Sequence, residues 1–307
     1  MKASPRDWTM LFGLGLIWGS SFMATDIATA DFDVLMLAAL RLSIGSLVLL
    51  MVLAARGEWL PGFTTPVERR FWLFALGAAL ATNAFPFTLL SFAQRTVDSS
   101  FAGVSVASMP LFVLPMAHLF VPGERMTWRR TIGFMLGFSG IVVLLGFDAW
   151  REFSGQSAIL LAQLACVGTA FCYAMGSIIS KLAPQLGLIR FGAAALLLAA
   201  MISLPNALLH EGLPEMPSAT GIIALAYMGI VPTALAQVML LIVIVSAGPS
   251  FLSMVNYIIP VWAVAFGVVI LGESPPGRLG IALALIFGGL AIAQGVVGLR
   301  RGGHARG

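Results

Sequence analysis

The sequence predicts an all-α polytopic membrane protein with ten transmembrane helices. Of its 307 residues, 59% are apolar and 10% are charged, whereas soluble domains carry about 25% charged residues. The mean hydropathy is +0.99. The apolar residues are gathered into stretches that approach or exceed the roughly 20 residues that a helix needs to cross the hydrocarbon of a bilayer. No aqueous fold hides so much apolar surface, so the lipid bilayer is predicted to be part of the protein's solvent.

Short polar or charged breaks separate the predicted spans and leave no room for a soluble domain. The first span follows a basic start, but it is too long for a signal peptide and more spans follow it, so we predict a retained helix. The spans cover residues 7–28, 34–55, 70–93, 98–121, 128–147, 157–181, 186–208, 218–246, 250–271 and 277–298.

The basic residues between the spans predict the orientation in the membrane. With the N-terminus in the cytoplasm, thirteen Lys and Arg residues fall on the cytoplasmic side, and only Arg95, Arg151 and Arg278 fall on the other side. Cytoplasmic loops carry such an excess of positive charge. Both termini are therefore expected in the cytoplasm, which requires an even number of spans. The same reading explains the net positive charge without a nucleic-acid partner.

A shift of 148 to 150 residues superposes the two halves of the chain. It matches Gly19-Ser20-Ser21-Phe22 with residues 168–171, Pro110 with Pro260, and Glu124 with Glu273. We predict a first repeat over residues 1–148, a second over 156–299, and a basic cytoplasmic tail over 300–307. Because each repeat contains five helices, an odd number, the second must insert upside down relative to the first, which is the architecture of many secondary transporters.

The same motifs carry a family resemblance over nearly the whole chain. They are the segment from Trp18 to Phe22, the pair Leu40-Arg41, Pro110 followed by Gly123-Glu124, and Pro260 followed by Leu271-Gly272-Glu273. These residues resemble the drug/metabolite transporter superfamily, in particular its EamA branch with two EamA domains in ten helices. Within that branch the chain is most similar to the YddG-type exporters of aromatic and other neutral amino acids.

The resemblance implies a transporter of a bacterial inner (plasma) membrane, which exports neutral or aromatic amino acids or related small metabolites by alternating access around a central cavity. A multidrug exporter of apolar compounds is the alternative within the same fold. A membrane-embedded enzyme would need clustered catalytic groups, and the three histidines lie in unrelated spans and loops. A purely structural or channel-like protein conflicts with the inverted repeat. We expect no catalytic residues, cofactor or metal ion, a small-molecule substrate, and a monomer or weak homodimer.

The predicted substrate-binding residues combine polar groups at mid-span with aromatic side chains. Asn83 leads them, because an amide donates two hydrogen bonds and accepts two, which suits a zwitterion; its alternative role is a helix–helix hydrogen bond. For the hydroxyl and aromatic residues the alternative is ordinary packing. The set is Trp18, Ser21, Phe22, Asn83, Phe87, Ser105, Tyr173, Gln237, Asn256 and Tyr257.

Two further features concern hinges and charge. Pro110 and Pro260 each remove a backbone donor from a presumed gating helix, so we predict hinges there, with static kinks as the alternative. Asp26 and Arg41 are the charges that fall inside the membrane, toward the outer side; an Asp–Arg pair is one interpretation and interfacial anchoring is the other. With no Lys or Arg at mid-depth, organic phosphates and nucleotide sugars are not expected substrates.

Overall fold

A computed structural model describes residues 4–146, 158–214 and 216–295. Lys2, the junction 148–156 between the predicted repeats and the predicted tail 300–307 lie outside these ranges. The described chain forms ten apolar helices and no strand. They are α1 (Pro5–Thr29), α2 (Val34–Ala55), α3 (Pro66–Ala93), α4 (Ser99–Phe120), α5 (Trp128–Leu145), α6 (Ala158–Leu182), α7 (Leu188–His210), α8 (Ala219–Ala247), α9 (Val255–Val269) and α10 (Arg278–Gln294).

Eight of these helices, α1 to α8, are long and apolar enough to cross a membrane. The remaining two, α9 and α10, are apolar but contain only 15 and 17 residues within the described chain. At about 1.5 Å per residue they extend roughly 22 to 26 Å, somewhat less than the bilayer core of about 30 Å. The fold is that of a polytopic membrane protein, as predicted.

The helices of the two halves pair in the same pattern. Helix α1 packs on α8 and α9, and its repeat mate α6 packs on α3 and α4. Likewise α2 packs on α8 while its mate α7 packs on α3, and the mates α2 and α7, like α5 and α10, pack on each other. Each helix of one half therefore finds most of its partners in the other half, and the centre of the bundle lies between the halves.

Small residues set the closest helix contacts, as the glycine spacing predicts. On α5, a side chain at Gly133 would meet the carbonyl oxygen of Gly289, and one at Gly289 would meet that of Gly133. On α1, a side chain at Gly19 would meet Trp262 and the backbone of α9. Backbones approach this closely only where a Cβ is missing. The Gly15-x-x-x-Gly19 and Gly133-x-x-x-Gly137 motifs thus serve packing.

Polar contacts divide the bundle into two ends. The Asp31 end holds the connections 30–33, 94–98, 211–214 and 270–277, and the Arg56 end holds 56–65, 121–127, 183–187 and 248. At the Asp31 end, three carboxylates each bind the N-terminal amides of a helix from the other half. Asp31 accepts hydrogen bonds from Ser218 N at 3.1 Å and Ser218 Oγ at 2.5 Å. Glu211 accepts from Leu35 N at 3.0 Å and Met36 N at 2.7 Å. Glu273 accepts from Ser99 N at 2.7 Å, from Ser100 N at 3.0 Å and from Ser100 Oγ.

At the Arg56 end, the buried Asp7 accepts a hydrogen bond from Ser246 Oγ at 2.5 Å, and the other contacts between the halves are more exposed ion pairs. Glu58 binds Arg190 at 3.3 Å, and Glu124 binds Lys181 at 3.3 Å and Arg130 at 3.0 Å. Exposed ion pairs between long side chains contribute little, about 0 to 1 kcal/mol, whereas a carboxylate on backbone amides at a helix N-terminus adds charge-assisted hydrogen bonds and a favourable interaction with the helix dipole. The two halves are therefore held together more firmly at the Asp31 end.

The two predicted hinges differ in geometry. Helix α4 is interrupted between Val106 and Met109, directly before Pro110. Helix α9 instead continues through Pro260, which is buried, and its irregularity lies earlier, between the short turn Pro249–Leu252 and Val255. The predicted hinge at Pro110 thus coincides with a break in the helix, and the one at Pro260 lies within an unbroken helix.

Candidate substrate-binding site

The structure contains two segments of π-helix, one in each half, and both pack against α2. They are Ala79–Ala84 in α3 and Gly229–Leu235 in α8, which the repeat offset of about 150 residues superposes. A π segment leaves backbone groups out of the regular ladder and is frequent at functional sites. Threonine hydroxyls cover two of the freed carbonyls, with Thr82 donating to Ala78 at 2.7 Å and Thr233 to Met228 at 2.8 Å.

The π segment of α8 has a specific reason in its sequence. Pro232 lacks an N–H and cannot donate to the carbonyl of Met228, and the Thr233 hydroxyl takes that acceptor. The backbone N–H of Ala236 shifts to Val231 O, and the carbonyl of Pro232 accepts from the indole Nε1 of Trp18 at 3.1 Å. Trp18 is therefore a half-buried link between α1 and the irregular part of α8.

Arg41 on α2 contacts the π segment of α8 and the part of α3 just beyond its π segment, and it is 6% exposed. Its Nε donates to Thr233 Oγ1 at 3.1 Å, and its guanidinium carbon lies 3.9 Å from the centre of the Phe87 ring. It follows Val34, the first residue of α2, by seven positions, which places it about 10 Å into the helix. Neither Arg41 nor Asp26 takes part in an ion pair of the described chain. The interfacial-anchor interpretation of Arg41 is wrong, because α2 turns this side chain toward α3 and α8.

Two tyrosines complete the surroundings of Arg41. The phenol groups of Tyr173 and Tyr227 both lie within electrostatic range of the guanidinium. The Tyr227 hydroxyl is 2.5 Å from Ser20 Oγ, while the Tyr173 ring packs against the cluster that contains Ala84 and Phe87. The Arg41 surroundings thus draw on α1, α2, α3, α6 and α8, which belong to both halves.

Asn83 lies in the π segment of α3 and is half-buried. Its Nδ2 donates to Thr82 Oγ1 at 2.8 Å. Its Oδ1 accepts no hydrogen bond from another described residue, so the amide keeps an acceptor for a ligand. Of the predicted residues, the structure brings Trp18, Asn83, Phe87 and Tyr173 to the two π segments and the Arg41 surroundings.

Several other predicted residues serve local structure. Phe22 is 6% exposed and packs in the core beside Gly103, and Ser105 is fully buried with its hydroxyl bonded to Phe101 O at 2.8 Å. Asn256 Nδ2 donates to Ser253 O at 3.1 Å. Tyr257 packs on Phe287 with its hydroxyl 3.3 Å from Gln294 Oε1, toward α10.

Ser21 and Gln237 belong to neither of these two groups of residues. Ser21 is 7% exposed, and its carbonyl accepts from Thr25 Oγ1 at 2.8 Å within α1. Gln237 is half-buried, one turn beyond Thr233, and a Cβ at Gly192 would lie 3.1 Å from its Nε2, so its amide faces α7. The structure therefore assigns neither of them a contact with Arg41.

Sequence reasoning missed the central residue of the cluster and one tyrosine. Arg41 was visible as the one basic residue placed well inside a predicted span, and ionisable residues at membrane depth are functional candidates by default. Tyr227 gave a weaker signal, as one of three tyrosines in the chain, shortly before Pro232. The face of an all-apolar helix that carries an arginine becomes evident only from the packing.

A bundle of apolar helices that places a polar cluster at its centre, remote from lipid, is an arrangement typical of membrane transport proteins. The chain belongs to the EamA-like transporter family, whose model matches it twice, over residues 8–146 and 159–294. The drug/metabolite transporter resemblance is thereby confirmed. Transport, a membrane location and a small-molecule substrate follow from family membership.

Curated relatives agree with this family. The uncharacterized inner membrane transporter YedA of Escherichia coli is 26% identical over 90% of this chain and 86% of its own length. The aromatic amino acid exporter YddG of Ancylobacter novellus is 27% identical over 91% of this chain and 93% of its own. A solved structure described only as a crystal structure of a protein is similar with a TM-score of 0.68 and 26% identity, covering 96% of this chain and 99% of its own.

Proposed function

We propose that this protein exports neutral or aromatic amino acids, or closely related small metabolites, by alternating access. The observation that carries the proposal is the central cluster in which both halves meet. Trp18 and Tyr173 supply aromatic surface there, Asn83 a free amide oxygen and Arg41 a positive charge. A polar zwitterion with an apolar side chain needs these groups together. One relative of similar length is named as an aromatic amino acid exporter, which supports the same substrate class.

We propose further that all ten helices span the membrane as two inverted repeats, with both termini in the cytoplasm. The matched pairing of the halves and the matched π segments support this arrangement. The Asp31 end then faces outward and is closed by the three carboxylate contacts, so we assign the described conformation to a state that is closed toward the outside. Opening the outward path requires these contacts to break while others form at the Arg56 end.

A multidrug exporter of apolar compounds is the second candidate, and the aromatic side chains favour it. It gives no reason for the buried charge of Arg41 or the free oxygen of Asn83. Amino-acid flux therefore separates the two proposals. An apolar drug has no group that pairs with the buried charge of Arg41, so this charge would not strengthen its binding.

The test uses purified full-length protein in liposomes. Saturable uptake of radiolabelled Phe, Thr or Met, measured with and without a proton gradient, is expected, and the absence of saturable flux for every amino acid would refute the leading proposal. Asn83→Ala should raise the apparent KM or abolish flux at unchanged folded yield. Asn256→Ala is the matched control, because that amide donates to the backbone of Ser253, three residues earlier, and its loss should leave KM unchanged.

A further inference from the structure

We propose that Arg41 is the receptor for the carboxylate of the transported molecule. The inference rests on the proposed function and narrows its substrate class to molecules that combine a carboxylate with an aromatic or other apolar group. The alternative role is structural: Arg41 holds α2 against α3 and α8, and no ligand touches it.

The first observation is a buried cation whose charge is not balanced. Arg41 is 6% exposed, and no carboxylate of the described chain lies within ion-pair distance of it. Its repeat mate Arg190, in contrast, is paired with Glu58 at 3.3 Å near the Arg56 end. A buried charge is expensive unless it is paired, and the ring of Phe87 with one threonine hydroxyl compensates only part of that expense.

The second observation is the direction of the unused donors. Arg41 Nε is bound to Thr233, whereas its two terminal amino groups form no hydrogen bond with any described residue. Neither nitrogen is among the fully buried side-chain atoms that lack a partner in the described chain, so each keeps some accessible surface. The fork of two parallel N–H donors is thus free, and it is the group that binds a carboxylate in bidentate geometry.

The third observation is what surrounds the free fork. The Tyr173 ring packs on the cluster that contains Phe87, and the Tyr227 hydroxyl is bonded to Ser20 on α1. The Tyr173 hydroxyl makes no hydrogen bond to another described residue, which leaves it able to donate to the same anion. The face of Phe87 is occupied by the guanidinium itself, so the apolar part of the ligand must lie elsewhere, toward the half-buried Trp18 and the π segment of α8.

A single arginine with neutral hydroxyls suits a monovalent carboxylate better than a phosphate. A phosphoryl group at neutral pH carries up to two charges and usually recruits several basic residues or helix N-termini. No second Lys or Arg lies inside a helix near Arg41 in the described chain. The ammonium group of an amino acid finds an acceptor in Asn83 Oδ1, whereas a simple aromatic acid has no need of one.

The experiment measures binding of three probes to the full-length protein in detergent. L-phenylalanine carries both charges, 3-phenylpropionate only the carboxylate and phenethylamine only the ammonium. Arg41→Gln should weaken binding of the first two roughly 10- to 100-fold, the loss expected for a charge-assisted bidentate contact, and leave phenethylamine unchanged. Arg41→Lys should fall between, because it keeps the charge and loses the fork. Arg190→Gln, the repeat-mate control, should bind all three probes normally.

Equal affinity of Arg41→Gln and wild type for 3-phenylpropionate would overturn the proposal, as would an equal loss for all three probes. If Arg41→Gln fails to fold, Thr233→Val decides, because it removes only the hydroxyl that orients Nε and should weaken the two carboxylate probes several-fold. Amino-acid flux that Arg41→Gln leaves intact would refute the Arg41 site and spare the proposed function. Arg41-dependent binding of 3-phenylpropionate without any amino-acid flux would refute the proposed function and support the Arg41 site.

Discussion

Glu273 offers the sharpest test of the closed state at the Asp31 end. Its carboxylate accepts from Ser99 N at 2.7 Å, from Ser100 N at 3.0 Å and from Ser100 Oγ, and Ser99 and Ser100 are fully buried. Glu273→Gln keeps the side-chain length but replaces one acceptor oxygen with an NH₂ group, which faces donors instead of accepting from them. The variant therefore breaks this interaction without creating a cavity.

The size of the effect follows from the number of hydrogen bonds that the substitution removes. A hydrogen bond to a charged group contributes about 1.5 to 3 kcal/mol, and glutamine retains one acceptor, so we take about one such bond as removed. Every 1.4 kcal/mol changes a ratio tenfold, so the ratio of closed to open molecules at the Asp31 end should fall roughly 10- to 150-fold. Glu124→Gln, its repeat mate, removes only the more exposed pairs at the Arg56 end and should not produce this change.

The assay follows the reaction of a buried cysteine with a membrane-impermeant maleimide added from the Asp31 end. Ser21→Cys places the thiol inside α1, where the native side chain is 7% exposed, and Cys166 and Cys172 are first replaced by alanine. Glu273→Gln should raise the labelling rate at least about tenfold, in proportion to the open population. Gly267→Ala should act in the same direction, because its Cβ would collide with Glu273 and Ser100. Unchanged labelling in a folded Glu273→Gln protein would refute the reasoning.

Two further predictions concern packing and pH. Gly289→Ala should lower the thermal midpoint, because its Cβ would meet the Gly133 carbonyl and overpacking costs about 1 to 3 kcal/mol, whereas Gly280→Ala, with open space around it, should not; equal midpoints would contradict this view of the α5–α10 contact. Burial raises the pKa of Asp98, and the charge of Glu273 adds to the shift. A raised carboxyl pKa contributes stability while the group is protonated and loses it as pH rises through the folded pKa. The labelling rate, corrected for the pH dependence of the thiol–maleimide reaction itself, should therefore fall as the pH is lowered toward the raised pKa of Asp98, and Asp98→Asn should reduce this dependence.

The sequence predicts the course of the backbone well, because charges and turn residues mark the ends of most helices. The span predicted at 70–93 begins at Pro66 instead, since Thr65 and Glu68 form a capping box that extends the helix into a charged segment. The span predicted at 250–271 is divided after Leu252. Both differences arise from local hydrogen bonding near helix ends, to which hydropathy is insensitive.

The binding site was less predictable than the helices, because it depends more on the direction in which each side chain points from its helix than on how deep the residue lies in the membrane. Helix α2 is apolar on nearly every face, so its sequence does not reveal that Arg41 points at Phe87 and Thr233. Ser105 and Phe22 have the residue types of a binding site, yet one satisfies its own helix and the other fills the core. The π segments depend on proline and threonine together with the partner helix, and their correspondence in the two halves is seen only after folding.

The difference between the two ends biases the conformational equilibrium of the proposed transport cycle. Hydrogen bonds from Ser218 hold the pKa of Asp31 below its usual range, and those from Arg130 and Lys181 do the same for Glu124, so both carboxylates stay charged at neutral pH. The ends differ mainly in the partners of their carboxylates, which are helix N-terminal amides at the Asp31 end and largely exposed cations at the Arg56 end. A ligand opens the Asp31 end only by binding the outward-open state more tightly than the closed state. Reversing a 100-fold excess of molecules closed at this end takes about 5.5 kcal/mol of differential affinity. An exchange of partners between Glu273 and its mate Glu124 would offset only part of that requirement, because Pro249, the repeat counterpart of Ser99, has no N–H to donate.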